Sequence, residues 1–254
     1  MLLSSDAMRT GDGYGEMLLA LLDESSSEML EIVERDDGFI MANRFGPDLY
    51  FAPHRKWPSR QRRALRLARG RVLDVGAGAG RVALHLQEKG HDVVAIDSSP
   101  GAVEVCRRRG VRDARVLRVE EADGALGRFD TVVMYGNNLG LLASPAKGRR
   151  LLRRLHAVTT ERGRILGEIL DPYLGAEPIH LAYHQRNRKR GRMSGQVRIR
   201  IRYRDLATPW FDYLFLSRPE LEELVEGTGW LLARTIEDEG PLYVAVLEKR
   251  AKAS

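Results

Sequence analysis

Three closely spaced glycines and an aspartate follow two consecutive apolar runs of the sequence. The segment "VLDVGAGAGR" places Gly76, Gly78 and Gly80 directly after an apolar run, and Asp97 ends the next apolar run, "DVVAID". Glycines let the backbone turn sharply and approach a ligand closely, because no Cβ stands in the way. A helix that follows such a turn points unpaired N–H groups at the ligand, and an acid at the end of the second strand accepts hydrogen bonds from ribose hydroxyls.

The elements that must position these residues alternate between strands and helices. Strand-like apolar runs are separated by segments with helical spacing, and these runs are "RVLDV", "DVVAID", "ARVLRVE", "FDTVVMYG" and "RILGEILD". Such alternation predicts an α/β protein with a parallel sheet covered on both faces. The last two runs, "LLARTIED" and "LYVAVLEKR", flank a Gly-Pro turn and predict an antiparallel pair.

Residues 70–170 resemble class I S-adenosylmethionine-dependent methyltransferases, through "VLDVGAGAGR", "VVAIDSSP" and "FDTVVMYGNN". The resemblance is to bacterial small-molecule enzymes and implies a Rossmann-like, doubly wound sheet of seven strands. Their implied order is 3-2-1-4-5-7-6, with strand 7 antiparallel. It also implies S-adenosylmethionine as methyl donor and S-adenosylhomocysteine as product. The cofactor-binding residues that it implies are Asp74, Gly76, Gly78, Gly80, Asp97, Ser98, Glu121, Ala122 and Tyr135.

The acceptor is less well defined by the sequence. In this family the segment after strand 4, here "MYGNNLGLL", faces the transferred methyl group, and the Asn-Pro-Pro-Tyr motif of some amino-group methyltransferases is absent. We expect direct in-line transfer to an oxygen or nitrogen of a small molecule or peptide, with no metal. The candidate catalytic residues are Asn137, Tyr173, His180 and His184.

Two segments lie outside the strand–helix alternation. Residues 1–69 are expected to form a cap, with two helical pieces over residues 12–35 and a β-hairpin over "GFIMANRFGPDLYFA". Residues 70–254 would form the methyltransferase domain. Within that domain, residues 172–216 would be a β-rich lid inserted after strand 5, in which "IHLAYHQ" and "QVRIRIRYR" pair as a hairpin.

Positive charge is concentrated in one segment. The net charge is +6, and residues 186–204 carry nine basic side chains and no acidic one. In "QVRIRIRYR" the arginines alternate with apolar residues, which predicts a half-buried strand. These arginines could bind an anionic substrate or an RNA backbone, or they could pair with acidic residues of the same chain. They could also contact a second subunit of a homodimer, or be solvated. An RNA methyltransferase is therefore the alternative function.

Other function classes are disfavoured. A non-catalytic nucleotide-binding or NAD-type protein is a further alternative, but a dinucleotide fingerprint would place its third glycine where Arg81 stands. The sequence contains no apolar run of membrane-spanning length, shows no secretory signal and has a single cysteine. These features predict a cytoplasmic protein without a disulfide framework.

Overall fold

The computed structural model describes residues 8–24, 30–43, 46–175 and 177–250. Its strands are β1 (Arg9–Thr10), β2 (Glu31–Arg35), β3 (Ile40–Asn43), β4 (Val72–Val75), β5 (Val93–Asp97), β6 (Ala114–Val116), β7 (Phe129–Met134), β8 (Thr159–Leu170), β9 (Gln196–Tyr203), β10 (Leu206–Ala207), β11 (Phe211–Leu214), β12 (Trp230–Glu237) and β13 (Leu242–Lys249). Its α-helices are α1 (Gly13–Glu24), α2 (Gly46–Phe51), α3 (Ser59–Leu65), α4 (Arg81–Glu88), α5 (Pro100–Arg108), α6 (Pro145–Ala157), α7 (Pro178–Lys189) and α8 (Arg218–Val225).

Seven strands form the main sheet, in the order β12-β13-β8-β7-β4-β5-β6. The pairs β4–β7, β7–β8 and β5–β6 are parallel, whereas β13 runs antiparallel to both β8 and β12. In the order of these seven strands along the chain, this is 6-7-5-4-1-2-3. The predicted Rossmann-like, doubly wound topology with an antiparallel seventh strand is confirmed.

The chain divides into two compact units. The described residues of Met1–Trp57, Gly76–Arg118 and Arg198–Phe211 form the first unit, and those of Pro58–Val75, Val119–Val197 and Asp212–Ser254 form the second. The cap over residues 1–69 and the domain over 70–254 stay predictions. Residues 8–24 and 198–211 nevertheless belong to the same unit, although they are far apart in the sequence.

Burial explains why the sheet strands are continuous apolar runs. Every residue of β4 and of β5 is buried, as expected for parallel strands covered on both faces. In the first unit, Met17 and Leu18 of α1 pack with Ala102 and Val105 of α5. In the second unit, the fully buried Trp230 donates its indole N–H to the carbonyl of Leu152 at 2.8 Å.

A second, smaller sheet corrects two predictions about the first 69 residues. The second helical piece is wrong over Glu31–Arg35, which is strand β2, and the proposed capping box of Ser25 and Glu28 lies outside the described residues. Strand β2 pairs antiparallel with β3 and with β9, so its β-branched residues are used in a sheet. The second strand of the predicted hairpin is also wrong, because Gly46–Phe51 is helix α2.

The insertion after strand 5 begins with a helix, so the predicted hairpin with "IHLAYHQ" is wrong. Pro178 stands in the first turn of α7, where its missing N–H costs nothing. The buried residues Tyr183, His184 and Asn187 recur at the spacing of one helical turn, so they form one face of the helix. Strands β9, β10 and β11 follow the helix, and the sheet that contains them has the order β1-β10-β9-β2-β3, with β11 paired to β9.

Candidate functional site

The glycine loop after β4 is held against the end of β5. The N–H groups of Gly76 and Ala77 donate to the carbonyl of Ile96, at 2.9 and 3.1 Å. Gly78 has a φ of +55°, and a Cβ built on it would lie 2.7 Å from the hydroxyl oxygen of Tyr14. The bare α-carbon at position 78 is therefore needed both for the turn and for the close approach of a side chain.

Asp97 is fixed directly beside this loop. Its two carboxylate oxygens accept from the N–H of Gly78 and from the N–H of Ser99, both at 2.9 Å. The residue is 8% exposed, and burial raises the pKa of its carboxyl above the ordinary value. A carboxylate held in this way has lone pairs left to accept hydrogen bonds from a sugar diol.

Asp12 joins the start of α1 to the start of α5, a role that the sequence analysis missed. Its carboxylate accepts from the N–H of Gly15, the hydroxyl of Ser99 and the N–H of Gly101, at 2.8 to 2.9 Å. A Cβ on Gly101 would lie 2.7 Å from the backbone of Gly15, so the two helix starts are in close contact. The only signal in the sequence is an acid immediately before a helix, a common N-cap.

Two tyrosines and a glutamate also lie beside the glycine loop. Tyr14 of α1 and Tyr50 of α2 pack edge to face, with ring centroids 5.7 Å apart. The Tyr50 hydroxyl donates to Glu31 of β2 at 2.6 Å. Burial raises the pKa of Glu31, and burial together with the charges of Asp97 and Glu31 raises the pKa of Tyr14. Sequence analysis gave no indication of this cluster.

In the second unit, a buried carboxylate fixes the turn after β7. Glu168 of β8 is 2% exposed, and its carboxylate accepts from Arg60 Nε, Gln61 Nε2 and the N–H of Gly136, at 2.8, 2.7 and 2.8 Å. The Tyr135 hydroxyl donates to the carbonyl of Gln61 at 2.9 Å, so that side chain supports the turn. Glu168 was not among the predicted site residues, because a lone acid in a strand carries no recognisable pattern.

The turn presents Asn137 in a left-handed conformation, with φ +67°. Within the described ranges, the buried side-chain oxygen of Asn137 accepts no hydrogen bond. The neighbouring Asn138 instead donates its side-chain amide to the carbonyl of Val75 at 3.2 Å. A buried acceptor without a donor costs free energy, and a bound N–H or O–H group would remove that cost.

Two of the predicted catalytic residues, Tyr173 and His184, lie close together. Their ring centroids are 6.1 Å apart, and the Tyr173 hydroxyl donates to Glu220 at 2.6 Å. Glu220 also forms the capping box of α8 with Ser217, so this contact stabilises a helix start. Burial raises the pKa of Tyr173. His180 lies one turn earlier on α7 and is half-buried.

The remaining predicted cofactor residues are distributed over both units. In the first unit, Ser98 is exposed immediately after Asp97. In the second unit, Asp74 is buried within β4, Glu121 is exposed at the end of a 3₁₀ turn, and Ala122 is fully buried. Within the described residues, no group of three His, Cys, Asp or Glu side chains is placed to hold a metal ion.

The arginine-rich strand is not the exposed basic face that the alternation predicts. Arg200 and Arg202 of β9 are buried and both reach Glu34 of β2, at 2.8 and 3.4 Å. The guanidinium of Arg200 also lies 4.7 Å from the ring centroid of Trp210. Only the outer arginines of this strand segment, Arg198 and Arg204, are exposed. Of the roles that the sequence left open for these arginines, Arg200 and Arg202 have one: they pair with an acidic residue of the same chain.

Comparison with known proteins agrees with the geometry. A family model described as "Methyltransferase domain" matches residues 72–163. Glycine/sarcosine N-methyltransferase of Parasynechococcus marenigrum is 32% identical over 101 residues, which cover 37% of this chain and 36% of that protein. Magnesium-protoporphyrin O-methyltransferase of Rhodobacter capsulatus is 40% identical over 85 residues, covering 32% and 38%. The chain thus spans about a third to a half of the length of the curated relatives that it matches.

One solved structure is similar over the full chain. It is a S-adenosylmethionine-dependent methyltransferase from Bacteroides fragilis, crystallised with S-adenosyl-L-homocysteine. The TM-score is 0.78 and the identity 26%, with 99% of this chain and 98% of that chain covered.

The sheet order, the glycine loop and the carboxylate at the end of β5 define a nucleotide-binding α/β protein with an antiparallel seventh strand. Together with these likenesses, they show that residues 72–163 are a methyltransferase domain and that the chain has the fold of class I S-adenosylmethionine-dependent methyltransferases. S-adenosylmethionine is the cofactor of this family. The residues present fit it, because the glycine loop lies directly against Asp97, whose buried carboxylate is fixed by the N–H groups of Gly78 and Ser99. No helix among the described residues combines the length and apolar character needed to cross a bilayer.

Proposed function

We propose that this protein transfers the methyl group of S-adenosylmethionine to an oxygen or nitrogen of a small molecule or peptide. The observation that carries the proposal is the glycine loop after β4, whose backbone N–H at Gly78 holds the buried carboxylate of Asp97 at the end of β5. The full-length likeness to a methyltransferase crystallised with S-adenosyl-L-homocysteine supports it.

On the cofactor side, we assign Asp97 to the ribose hydroxyls and the glycine loop to close backbone contact. Asp12 positions the residues after β5 through Ser99. The other proposed cofactor residues are Asp74, Gly76, Gly80, Ser98, Glu121 and Ala122, with Tyr135 supporting the turn after β7.

On the acceptor side, the proposal gives Asn137 the task of orienting the nucleophile. Its buried side-chain oxygen is available to accept from an acceptor N–H or O–H. The bound cofactor supplies a methyl group already activated on a sulfonium sulfur. The chain therefore has to align the nucleophile and exclude water rather than activate the donor. Tyr173, His180 and His184 remain proposed acid–base residues, of which Tyr173 and His184 are in contact range.

A small acceptor is favoured over RNA by the burial of the central arginines. Arg200 and Arg202 are 9% and 3% exposed and face Glu34, so they are not available to a phosphate backbone. The names of relatives point the same way, since they specify glycine or sarcosine in one and magnesium-protoporphyrin in another.

Calorimetric titration tests the cofactor part of the proposal. Wild-type protein should bind S-adenosylmethionine and S-adenosylhomocysteine but not NAD. Asp97→Ala should weaken both ligands by at least about tenfold, as loss of a hydrogen bond to a charged group predicts. Asp205→Ala removes an exposed carboxylate, paired with Arg9, and should have no effect. Binding of NAD in place of the sulfonium compound would refute the assignment.

Turnover tests the acceptor class. The protein is incubated with S-adenosylmethionine and panels of small amines, carboxylic acids, phenols and short peptides, and released S-adenosylhomocysteine is measured. Release with at least one small-molecule class is expected. Short RNAs form a separate arm, with mobility shifts recorded over a range of salt concentrations. Turnover on RNA alone, with salt-dependent binding, would replace the proposal with the RNA alternative.

A further inference from the structure

One short segment of the second unit exposes much of the apolar surface of the protein. Within the described residues, eight large apolar side chains are exposed, and half of them lie in residues 173–181: Tyr173, Leu174, Ile179 and Leu181. Each of the four is 45% to 56% exposed. Scattered exposed apolar residues are ordinary, but several on one short segment mark an interaction surface.

The start of helix α7 carries two of these side chains on different sides. At 3.6 residues per turn, Ile179 and Leu181 point about 160° apart around the helix axis. Both are exposed, as are Pro178 and Ala182 beside them. The residues that α7 buries come later, and they are Tyr183, His184 and Asn187. The first turn is therefore an apolar tip that inserts into a deformable phase, because side chains on two sides of a helix cannot both contact one flat protein surface.

Positive charge follows the apolar tip along the same helix. Residues 173–192 contain five basic side chains and one acidic side chain, Glu177. Leu181 and Arg188 are two helical turns apart, so they lie on the same side of α7 with about 10 Å between them along the axis. One side of the segment thus has an apolar start and a cationic end, where the exposed cations are Arg188, Lys189, Arg190 and Arg192.

The combination of apolar and cationic groups decides which partner fits this surface. In a two-fold contact between two copies of the chain the same surface meets itself, so a surface with net positive charge repels its copy. An RNA backbone would bind the cations but would leave the apolar tip in water. An anionic lipid bilayer suits both groups, because apolar side chains enter the boundary between headgroups and acyl chains while Lys and Arg bind the negative surface.

We propose that this docking surface, made of residues 173, 174, 178–182 and 188–192, binds the surface of an anionic lipid bilayer. The contact is peripheral, since the 12 residues of α7 are well short of the roughly 20 that a membrane-spanning helix needs. Strand β8 ends at Leu170, shortly before this surface, so docking would hold the carboxyl end of β8 near the lipid. The inference goes beyond the proposed function and does not depend on it, because lipid binding needs neither cofactor nor methyl transfer.

Sedimentation of the full-length protein with lipid vesicles tests this inference. Wild-type protein should bind phosphatidylcholine vesicles that contain about 30% phosphatidylglycerol but not vesicles of phosphatidylcholine alone, and added salt should weaken the binding. Removing three charges with Lys189→Gln, Arg190→Gln and Arg192→Gln should lower the partition coefficient roughly 10- to 100-fold. Removing the apolar tip with Ile179→Gln and Leu181→Gln should lower it at least about tenfold.

Two control variants make the same chemical changes elsewhere on the surface. Arg55→Gln, Lys56→Gln and Arg150→Gln remove three exposed charges, so this variant has the same net charge as the first docking variant. Met41→Gln and Val116→Gln replace two apolar side chains that are 46% and 48% exposed, close to the values of Leu181 and Ile179. Both controls should keep the partition coefficient within about twofold of the wild-type value.

The outcomes decide between the partners. If wild-type protein does not sediment with the anionic vesicles, or if the controls lose as much binding as the docking variants, the inference is overturned. Mobility shifts with short RNA and sedimentation velocity of the protein alone form two further arms. RNA binding or self-association that depends on the docking surface, without vesicle binding, would also overturn it. Thermal unfolding checks the fold of each variant, and the charge and apolar variants are independent, so one carries the test if the other does not fold.

Discussion

Glu168 offers the sharpest test of the energetics of the second unit. Its carboxylate holds Arg60, Gln61 and the N–H of Gly136 at 2.7 to 2.8 Å, in a position that is 2% exposed. Glu168→Gln keeps the size of the side chain but removes its charge. The new amide NH2 group would also point at N–H donors that now bind a carboxylate oxygen. Losing one partner of a buried ion pair costs about 3–5 kcal/mol, because the other charge stays buried.

The structure places the expected cost at the lower end of that range. Arg60 keeps a second carboxylate, Asp238, at 3.6 Å, so its charge is not wholly orphaned. We expect a loss of about 3 kcal/mol, which in a chain of this size lowers the midpoint of thermal unfolding by roughly 6–12 °C. The assay is thermal and urea unfolding followed by circular dichroism.

The control makes the same chemical change in an exposed pair. Asp205 lies 2.7 Å from Arg9, with both side chains largely exposed, and Asp205→Asn should leave the midpoint unchanged. The double variant Glu168→Leu with Arg60→Met should be more stable than Glu168→Leu alone, because it removes the unpaired cation. Equal midpoints for Glu168→Gln and Asp205→Asn would refute the reasoning.

Three further predictions concern the glycines and one histidine. Gly78→Ala should lower the affinity for S-adenosylhomocysteine at least about tenfold, because Gly78 has a positive φ and a Cβ there would collide with Tyr14. The control is Gly90→Ala, which has a positive φ but open space around it and should keep the affinity. Equal losses of affinity in the two variants, measured by calorimetric titration, would contradict this prediction. Gly140→Ala should cost about 1–3 kcal/mol in urea unfolding, because its Cβ would collide with the ring of Tyr213, and Tyr213→Ala in the same chain should restore part of the loss. Burial and the neighbouring His54, stacked at 3.9 Å, lower the pKa of His85. Its contribution to stability is therefore present above the unfolded pKa of about 6.5 and lost as the pH falls through the lower folded value. His85→Phe should reduce the fall in unfolding midpoint between pH 7.5 and 5, and an unchanged pH profile would disprove the assignment.

Much of the fold could be predicted from local patterns. Strands such as β4 and β5 are buried on both faces and so consist of apolar runs, and the glycines at 76, 78 and 80 mark a turn with positive φ. Pro100 and Ser99 mark the start of α5, where the Ser99 hydroxyl accepts from the N–H of Ala102 at 3.0 Å. These signals act within a few residues, so the sequence alone contains them.

The sequence did not predict interactions between distant segments. The strand over Glu31–Arg35 looked helical from its local pattern, but its backbone is paired on one side with β3 and on the other with β9, which lies far along the chain. Arg200 and Arg202 alternate as an exposed face would, yet Glu34 of the paired strand draws both inside. Burial of a charge depends on a partner that periodicity does not reveal.

By itself, the sequence determined the class of protein, because a glycine loop followed by a strand ending in an acid is a local arrangement. It also indicated the alternation of strands and helices over residues 70–170, through hydrophobic periodicity. Only the tertiary structure decided which side chains meet within each of the two units. In the first unit, helices α1 and α2 and strand β2 contribute Tyr14, Tyr50 and Glu31. In the second unit, Glu168 of β8 binds Arg60 of α3 and the N–H of Gly136 in the turn after β7. Such contacts are set by packing and by the need to satisfy buried polar groups, which depend on the whole fold.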